Sequence, residues 1–239
     1  MAERLAKYIA RSGACSRREA ERLIAEGRIT LNGETVTTPA VNVEGSEKIL
    51  IDGEKLPAID KTRVWVYYKP TGLITSHKDE KDRATVFDNL PKGMPRVISV
   101  GRLDLNSEGL LLLTNNGELS RKLELPSNGW SRRYRVKVHG RISQEKFKEL
   151  EKGITIEGIT YGSIKVEIDS EQGTNAWLTV TLQEGKNREI RKVMKFLGLD
   201  VARLIRVSYG PFQLGSLKKG EVREVSQKVL KEQLGAKLA

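Results

Sequence analysis

The sequence predicts an α+β protein in two parts, a small unit over residues 1–59 and a larger one over residues 60–239. Two amphipathic helical patterns at the N-terminus give way to short strand patterns joined by tight turns. The polar, proline-containing stretch Pro57-Ala58-Ile59-Asp60-Lys61-Thr62 then reads as a linker. Beyond it, strand patterns recur with isolated helical ones between them, as expected when one sheet carries its own helices.

In the first unit, Leu5, Ala6, Ile9 and Ala10 share one helical face and Arg4, Lys7 and Arg11 the other, until Gly13 ends the helix. Ser16-Arg17-Arg18-Glu19 has the form of a capping box for a second helix, with Ala20, Leu23 and Ile24 as its apolar stripe and Gly27 as its stop. Arg28–Leu31 and Glu34–Thr38 read as strands around an Asn32-Gly33 hairpin turn, and Ile49–Ile51 as a further strand before an Asp52-Gly53 turn.

The larger unit opens on Val64–Tyr68, a β-branched and aromatic strand closed by Lys69-Pro70-Thr71-Gly72. Residues 77–96 are polar and broken by Pro91, Gly93 and Pro95, a loop with a short helix; Lys78, Lys81, Arg83, Lys92 and Arg96 there suit phosphate contacts or a solvated surface equally. Trp130–Val138 alternates so that Tyr134, Val136 and Val138 share one strand face and Arg133, Arg135 and Lys137 the other. Ser143–Lys152 reads as a capped helix. Strands are expected at 154–156, 159–169 and 176–183, a helix from Gln183 to Gly198 with Ile190, Val193, Met194 and Leu197 as its stripe, a strand at Val201–Tyr209 and a short polar helix from Ser226.

Composition narrows the function. The formal charge of +11 and pI near 9.7 favour an acidic partner, nucleic acid or an anionic membrane surface. The charge is uneven: residues 1–59 carry nine basic and nine acidic side chains, while residues 60–239 carry 33 basic against 22 acidic. Within the small unit, residues 1–32 hold seven basic and four acidic residues, so any RNA-binding face lies on the helices. No run approaches a membrane span, and Glu3, Arg4 and Lys7 stand where a signal peptide has its apolar core, so a cytoplasmic protein is expected. Cys15 is the single cysteine, and His77 and His139 lack ligand-like spacing; no structural metal is expected.

The centre of the chain is residues 98–119, I-S-V-G-R-L-D-L-N-S-E-G-L-L-L-L-T-N-N-G-E-L. Four leucines between turn formers fit a strand buried on both faces or a piece of buried helix, and Asp104 sits on the loop entering it. From Gly101 to Gly117 this stretch resembles the catalytic signature of pseudouridine synthases, in particular the RsuA/RluB/RluE/RluF family of ribosomal RNA enzymes. The N-terminal pattern resembles the αL-type RNA-binding domain of a small-subunit ribosomal protein and many RNA-modifying enzymes. Lys69-Pro70, within Y-K-P-x-G, resembles the family's first motif and reads as structural support. The strand bearing Tyr134 and the segment E-G-K-N-R-E-I-R-K-V (184–193) resemble two further motifs, all in family order.

The resemblance implies a catalytic domain on a long mixed, mostly antiparallel sheet flanked by helices. It implies Asp104 as the catalytic carboxylate, Arg191 as its ionic partner and Tyr134 as the active-site tyrosine. Arg102, Lys186 and Arg188 are candidate substrate contacts, as are Arg4, Arg17 and Arg18 in the small domain. Pseudouridine formation breaks the bond from ribose to the base nitrogen, turns the detached uracil and forms a bond through carbon 5, so no electrons or external groups enter and no cofactor is needed. Attack on the ribose, attack on the base and proton abstraction from the sugar remain open. A monomer acting on ribosomal RNA, free or in an assembly intermediate, is expected; the G-R-L-D, E-G-K-N-R and R-L-I-R-V-S-Y-G-P-F forms look closer to the large-subunit members. The competing readings are a small-subunit enzyme, a noncatalytic assembly factor in which Asp104 is dispensable, and a hydrolase pairing Asp104 with Glu108.

Overall fold

The computed structural model describes residues 2–77, 79 and 81–235. They divide into two compact units, one gathering the residues up to Arg63 with Pro95–Ile98 and Asn115–Gly117, the other gathering Val64–Met94, Ser99–Thr114 and the residues from Glu118 on.

The first unit runs β1 (Glu3–Arg4), α1 (Leu5–Arg11), α2 (Arg17–Ala25), β2 (Ile29–Leu31), β3 (Glu34–Val36), β4 (Asn42–Val43), β5 (Ile49–Ile51) and β6 (Glu54–Lys55). Ser16 caps α2 by accepting from the Glu19 backbone N–H at 3.1 Å. Asn32 and Gly33 both take positive φ, which the two-residue turn between β2 and β3 requires. The sheet order is β3-β2-β5-β6, and Leu5, Ile9, Leu23, Ile24, Ile29 and Val43 from both layers close the core.

The second unit continues with β7 (Val64–Lys69), β8 (Ile98–Val100), β9 (Glu108–Thr114), α3 (Gly117–Glu124), β10 (Arg132–His139), α4 (Gln144–Leu150), β11 (Ile154–Ile156) and β12 (Ile159–Tyr161). After these come β13 (Ile164–Gln172), β14 (Asn175–Leu182), α5 (Glu189–Phe196), β15 (Asp200–Tyr209), β16 (Phe212–Gln213), β17 (Val222–Glu224) and α6 (Gln227–Leu234). One nine-stranded mixed sheet orders its strands β13-β14-β10-β15-β9-β7-β17, with β16 beside β15 and β8 beside β9. The leucine run is strand rather than helix. β9 lies antiparallel to β7 and parallel to β15, and Leu110, Leu111, Leu112 and Leu113 are all fully buried. A central strand buried on both faces explains why its sequence does not alternate.

Three element boundaries differ from expectation. The strand expected over 159–169 breaks at Gly162-Ser163 into β12 and β13, while Glu157-Gly158, both at positive φ, forms the hairpin turn between β11 and β12 that its sequence suggests. Helix α5 begins at Glu189 rather than Gln183, because Arg188 takes a left-handed φ of 52° that a helix cannot contain. Helix α3, unforeseen, follows the Asn-Asn-Gly turn and buries Leu119 and Leu123 on one face.

The parallel pairing of β9 with β15 depends on Gly109. Its φ is +106°, and a Cβ there would lie 2.3 Å from the Arg206 carbonyl oxygen and 2.7 Å from the Arg206 nitrogen. Neither neighbour is a side-chain end that can swing away. Gly109→Ala is therefore expected to cost about 3 kcal/mol from overlap and backbone strain together, and to lower the Tm by on the order of 10 °C. An unchanged melting curve would show that the two strands separate freely.

Candidate active site

Asp104 sits on the loop between β8 and β9, half-buried, and its backbone is held by an interior lysine. Lys69, at the end of β7, is fully buried. Its ammonium donates to the carbonyls of Pro70 (3.0 Å), Asp104 (3.1 Å) and Ser107 (3.0 Å). Three donors meet three acceptors. Burial pushes this lysine down to about 8, against the pull of Asp104 and Glu108.

The guanidiniums around Asp104 divide their tasks. Arg188, exposed at the left-handed position before α5, places Nη1 3.9 Å from Asp104 Oδ2. Arg191, expected to form that ion pair, instead donates Nη2 to the Asn106 carbonyl at 2.8 Å and Nη1 to the Val201 carbonyl at 3.1 Å. Burial, then the charge of Arg188, pushes the Arg191 guanidinium below its ordinary value, while Asp104 pulls it up. The expected Arg191–Asp104 pair is thus not formed here: Arg188 makes the pair, and Arg191 bonds the Asn106 and Val201 carbonyls.

A cavity of about 450 Å³ opens at Asp104, within the size range of small-ligand sites. Arg102, Tyr134, Lys186, Arg188, Leu204 and Arg206 line it with Asp104. The structure thus brings six of the nine candidate residues to one unit and places five of them, Asp104 included, on one cavity, which Arg191 does not line. Tyr134 is buried on β10, in register with Val180 of β14 and Arg206 of β15. Arg102 is exposed at the rim. Lys186 donates to Glu184 and lies over the Tyr161 ring.

Several cavity residues escaped the sequence reading. Arg132 and Arg206 are buried against Tyr209, 4.7 and 5.1 Å from its ring centre. Tyr209 in turn donates to the Leu123 carbonyl at 2.8 Å. The one available signal was an arginine inside each of two otherwise alternating or apolar strands. Glu189 is also buried; its Oε2 accepts from the Lys186 backbone N–H at 2.8 Å, and its Oε1 has no hydrogen-bond partner. Burial, with the charge of Glu184 adding to it, raises the Glu189 carboxyl to about 7.

Glu108 points elsewhere. Its buried carboxylate is bonded by Arg203, lies 2.8 Å from Lys219 and accepts from Tyr68 at 3.4 Å. Burial would raise it, but Arg203 and Lys219 outweigh that and hold it below the ordinary glutamate value. It does not join Asp104 as a second carboxylate, so the hydrolase arrangement is not formed. Among the described residues, no three His, Cys, Asp or Glu side chains gather as a metal site, and no helix is long and apolar enough to cross a membrane.

In the first unit, Arg17 pairs with Glu21 at 3.0 Å and Arg4 donates to the Ala40 carbonyl. Arg18 is exposed and makes no ion pair with a described residue. The lysine at 78, a candidate phosphate contact, lies outside the described residues, and Arg83 is tied in a two-point bond to Asp79.

Residues 63–196 match the family model of RNA pseudouridylate synthases, and residues 3–54 match the S4 domain. The chain belongs to the RNA pseudouridylate synthase family. It is 48% identical over 230 residues to an uncharacterized RNA pseudouridine synthase of Rickettsia felis, covering 96% of this chain and 100% of that one. It is 41% identical over 220 residues to the ribosomal large subunit pseudouridine synthase B of Yersinia pestis, covering 90% of this chain and 69% of that one. A solved pseudouridylate synthase superposes with a TM-score of 0.69 at 26% identity, covering 97% and 99% of the two chains. The expected family, the α+β fold with its mixed sheet and the small N-terminal RNA-binding domain agree with these findings.

Two outcomes follow for this synthase. Lys69→Met leaves three carbonyls without their donor; a loss of about 2–4 kcal/mol is expected in denaturant unfolding, with pseudouridine formation reduced even below the midpoint. Wild-type stability would mean that the loop holds itself. For Glu189, the folded protein keeps a proton up to about pH 7 that the unfolded chain releases near the ordinary glutamate value. The raised value makes this stability present at low pH and lost as pH rises through that window. Glu189→Gln keeps an acceptor for Lys186 and removes the titration, so its Tm relative to wild type should climb between about pH 5 and about pH 8. A constant difference would show that Glu189 titrates normally.

Proposed function

We propose that this protein converts one uridine of large-subunit ribosomal RNA to pseudouridine, with Asp104 as the catalytic carboxylate. The observation that supports it best is a half-buried carboxylate at a nucleotide-sized cavity, its backbone fixed by Lys69 and its charge faced by Arg188. The large-subunit assignment rests on the similarity to the Yersinia pestis protein and its Salmonella counterparts, which carry that name at 41% identity.

In this reading the target base leaves its stack, at a cost of a few kcal/mol, and enters beside Tyr134, whose ring packs against it. Arg102 at the rim fills the vacated place or holds an adjacent phosphate. Asp104 acts as the carboxylate, with the Arg188 guanidinium facing it. The carboxylate attacks sugar or base, or takes a sugar proton. The bond from C1′ to N1 breaks, the base turns, C5 bonds to C1′, and the proton lost from C5 is balanced by one gained at N1. Lys186 contacts the RNA outside the cavity. Arg4, Arg17 and Arg18 dock a structured RNA segment on the S4 domain; Arg17's exposed pair with Glu21 is weak enough to exchange for phosphate. The enzyme works as a cytoplasmic monomer without a cofactor, on free RNA or an assembly intermediate.

Purified wild type and Asp104→Asn are incubated with large- and small-subunit transcripts and with assembly intermediates, and pseudouridine is mapped by carbodiimide labelling and primer extension. The expected result is one new position in large-subunit RNA with wild type and none with the variant at equal RNA binding. Modification by Asp104→Asn at the wild-type rate would remove the carboxylate's role, and tight binding without modification of any RNA would overturn the activity.

A further inference from the structure

We infer that Arg206 reads a carbonyl oxygen of the extruded uracil, making it a specificity-determining residue of the cavity; this rests on the proposed activity. The two buried guanidiniums against Tyr209 are unequal. Arg132 spends Nη1 on the Gln183 carbonyl and Nη2 on the Tyr209 hydroxyl at 2.9 Å. Arg206 donates Nε to the Leu110 carbonyl at 2.7 Å, and its buried Nη2 has no hydrogen-bond partner.

Arg206 is only 3% exposed, and a buried N–H on a charged group without an acceptor is costly. Its aim is set by the fold. It is the cross-strand partner of Tyr134, so both side chains stand on one face of the sheet, and Leu204, two residues earlier on the same strand, also lines the cavity. Nε is anchored and the ring of Tyr209 lies against the guanidinium, so the terminal N–H groups, those of Nη2 among them, are held in place before any ligand arrives.

The missing partner is an acceptor, either a phosphate oxygen or a base carbonyl. The same cavity decides in favour of the base. Glu189, beside Glu184, puts a second buried carboxyl on the cavity, and a carboxyl oxygen repels phosphate but accepts from an N–H. Uracil offers both complements, acceptors at O2 and O4 and a donor at N3. Cytosine exchanges the two at positions 4 and 3, with an amino donor in place of O4 and a bare acceptor at N3, so a guanidinium facing position 4 and a carboxylate facing N3 each meet a like group.

The test is a cycle of protein and base changes on an RNA fragment carrying the uridine that wild type modifies. The fragment is made with uridine, 2-thiouridine or 4-thiouridine there, since sulfur accepts hydrogen bonds poorly. Arg206→Lys, which keeps the charge and the Leu110 contact but loses the fork, should lower turnover at saturating RNA roughly 10- to 100-fold, with KM within about threefold. One thio substitution should slow wild type and leave Arg206→Lys unaffected. Arg206→Gln, able to present an acceptor as well as a donor, should narrow the preference for uridine over cytidine fragments in competition binding, a readout that general damage to the fold would not move. Equal thio effects in both proteins and in both arms would assign Arg206 to phosphate or to structure and overturn the inference, as would wild-type turnover by Arg206→Lys. A wild type that leaves uridine unmodified would instead overturn the activity itself, and this contact with it.

Discussion

The site depends on one buried ammonium. Lys69 lies at the end of β7, with no exposure to solvent, and its three donors are all spent on main-chain carbonyls, two of them at the two ends of the loop Asp104–Ser107. A buried charge is tolerated only with such complete bonding, so the lysine and the loop specify each other. The loop is consequently fixed by its backbone and not by the Asp104 side chain. Asp104 is left with its carboxylate uncommitted to the scaffold, as a group that must meet a substrate requires.

The same economy appears around the rest of the cavity. Arg191 holds Asn106 from the side of α5, so the loop is gripped from two elements, while Arg188 stays exposed and adjustable opposite the carboxylate. Gly109 then lets β9 run against β15 closely enough for Arg206 and Tyr134 to share the cavity with Asp104. A charge at one strand end, a missing side chain at the next residue pair and a left-handed residue before a helix all serve one placement.

Much of this was legible in the sequence, for physical reasons that differ by residue. The buried strand β9 announced itself because a strand covered on both faces has no polar face to show, and Tyr134 because β10 alternates cleanly between core and solvent. Capping at Ser16 and Ser143 was readable because a cap is local. Helix α3 was hidden behind a turn signal, and α5 was started too early because E-G-K-N-R has helical composition while Arg188 takes a conformation that composition does not encode. Lys69, Arg206 and Glu189 were missed as site residues for a common reason. A charged residue is scored as surface unless its surroundings are known, and the segments that bury these three are brought there by the fold. The role exchanged between Arg188 and Arg191 has the same origin: spacing places both near Asp104, but only the positions of the Asn106 and Val201 carbonyls decide which one is free to pair.

The charge distribution assigns different work to the two units. The residues up to 59 are neutral overall, and most arginines of the helical pair are already engaged, Arg11 with Glu3, Arg22 with Glu19 and Glu26, and Arg28 with Asp52. Such exposed pairs contribute little to stability, but each must be broken or shared when a phosphate arrives, which weakens non-specific attraction. The S4 unit is therefore suited to recognising a shape that satisfies several donors together. The excess of 33 basic over 22 acidic residues in the remainder of the chain supplies the long-range pull. Affinity that comes mainly from the catalytic unit, with selectivity added by a neutral one, favours an encounter that is sensitive to salt and a final complex that is sensitive to RNA structure.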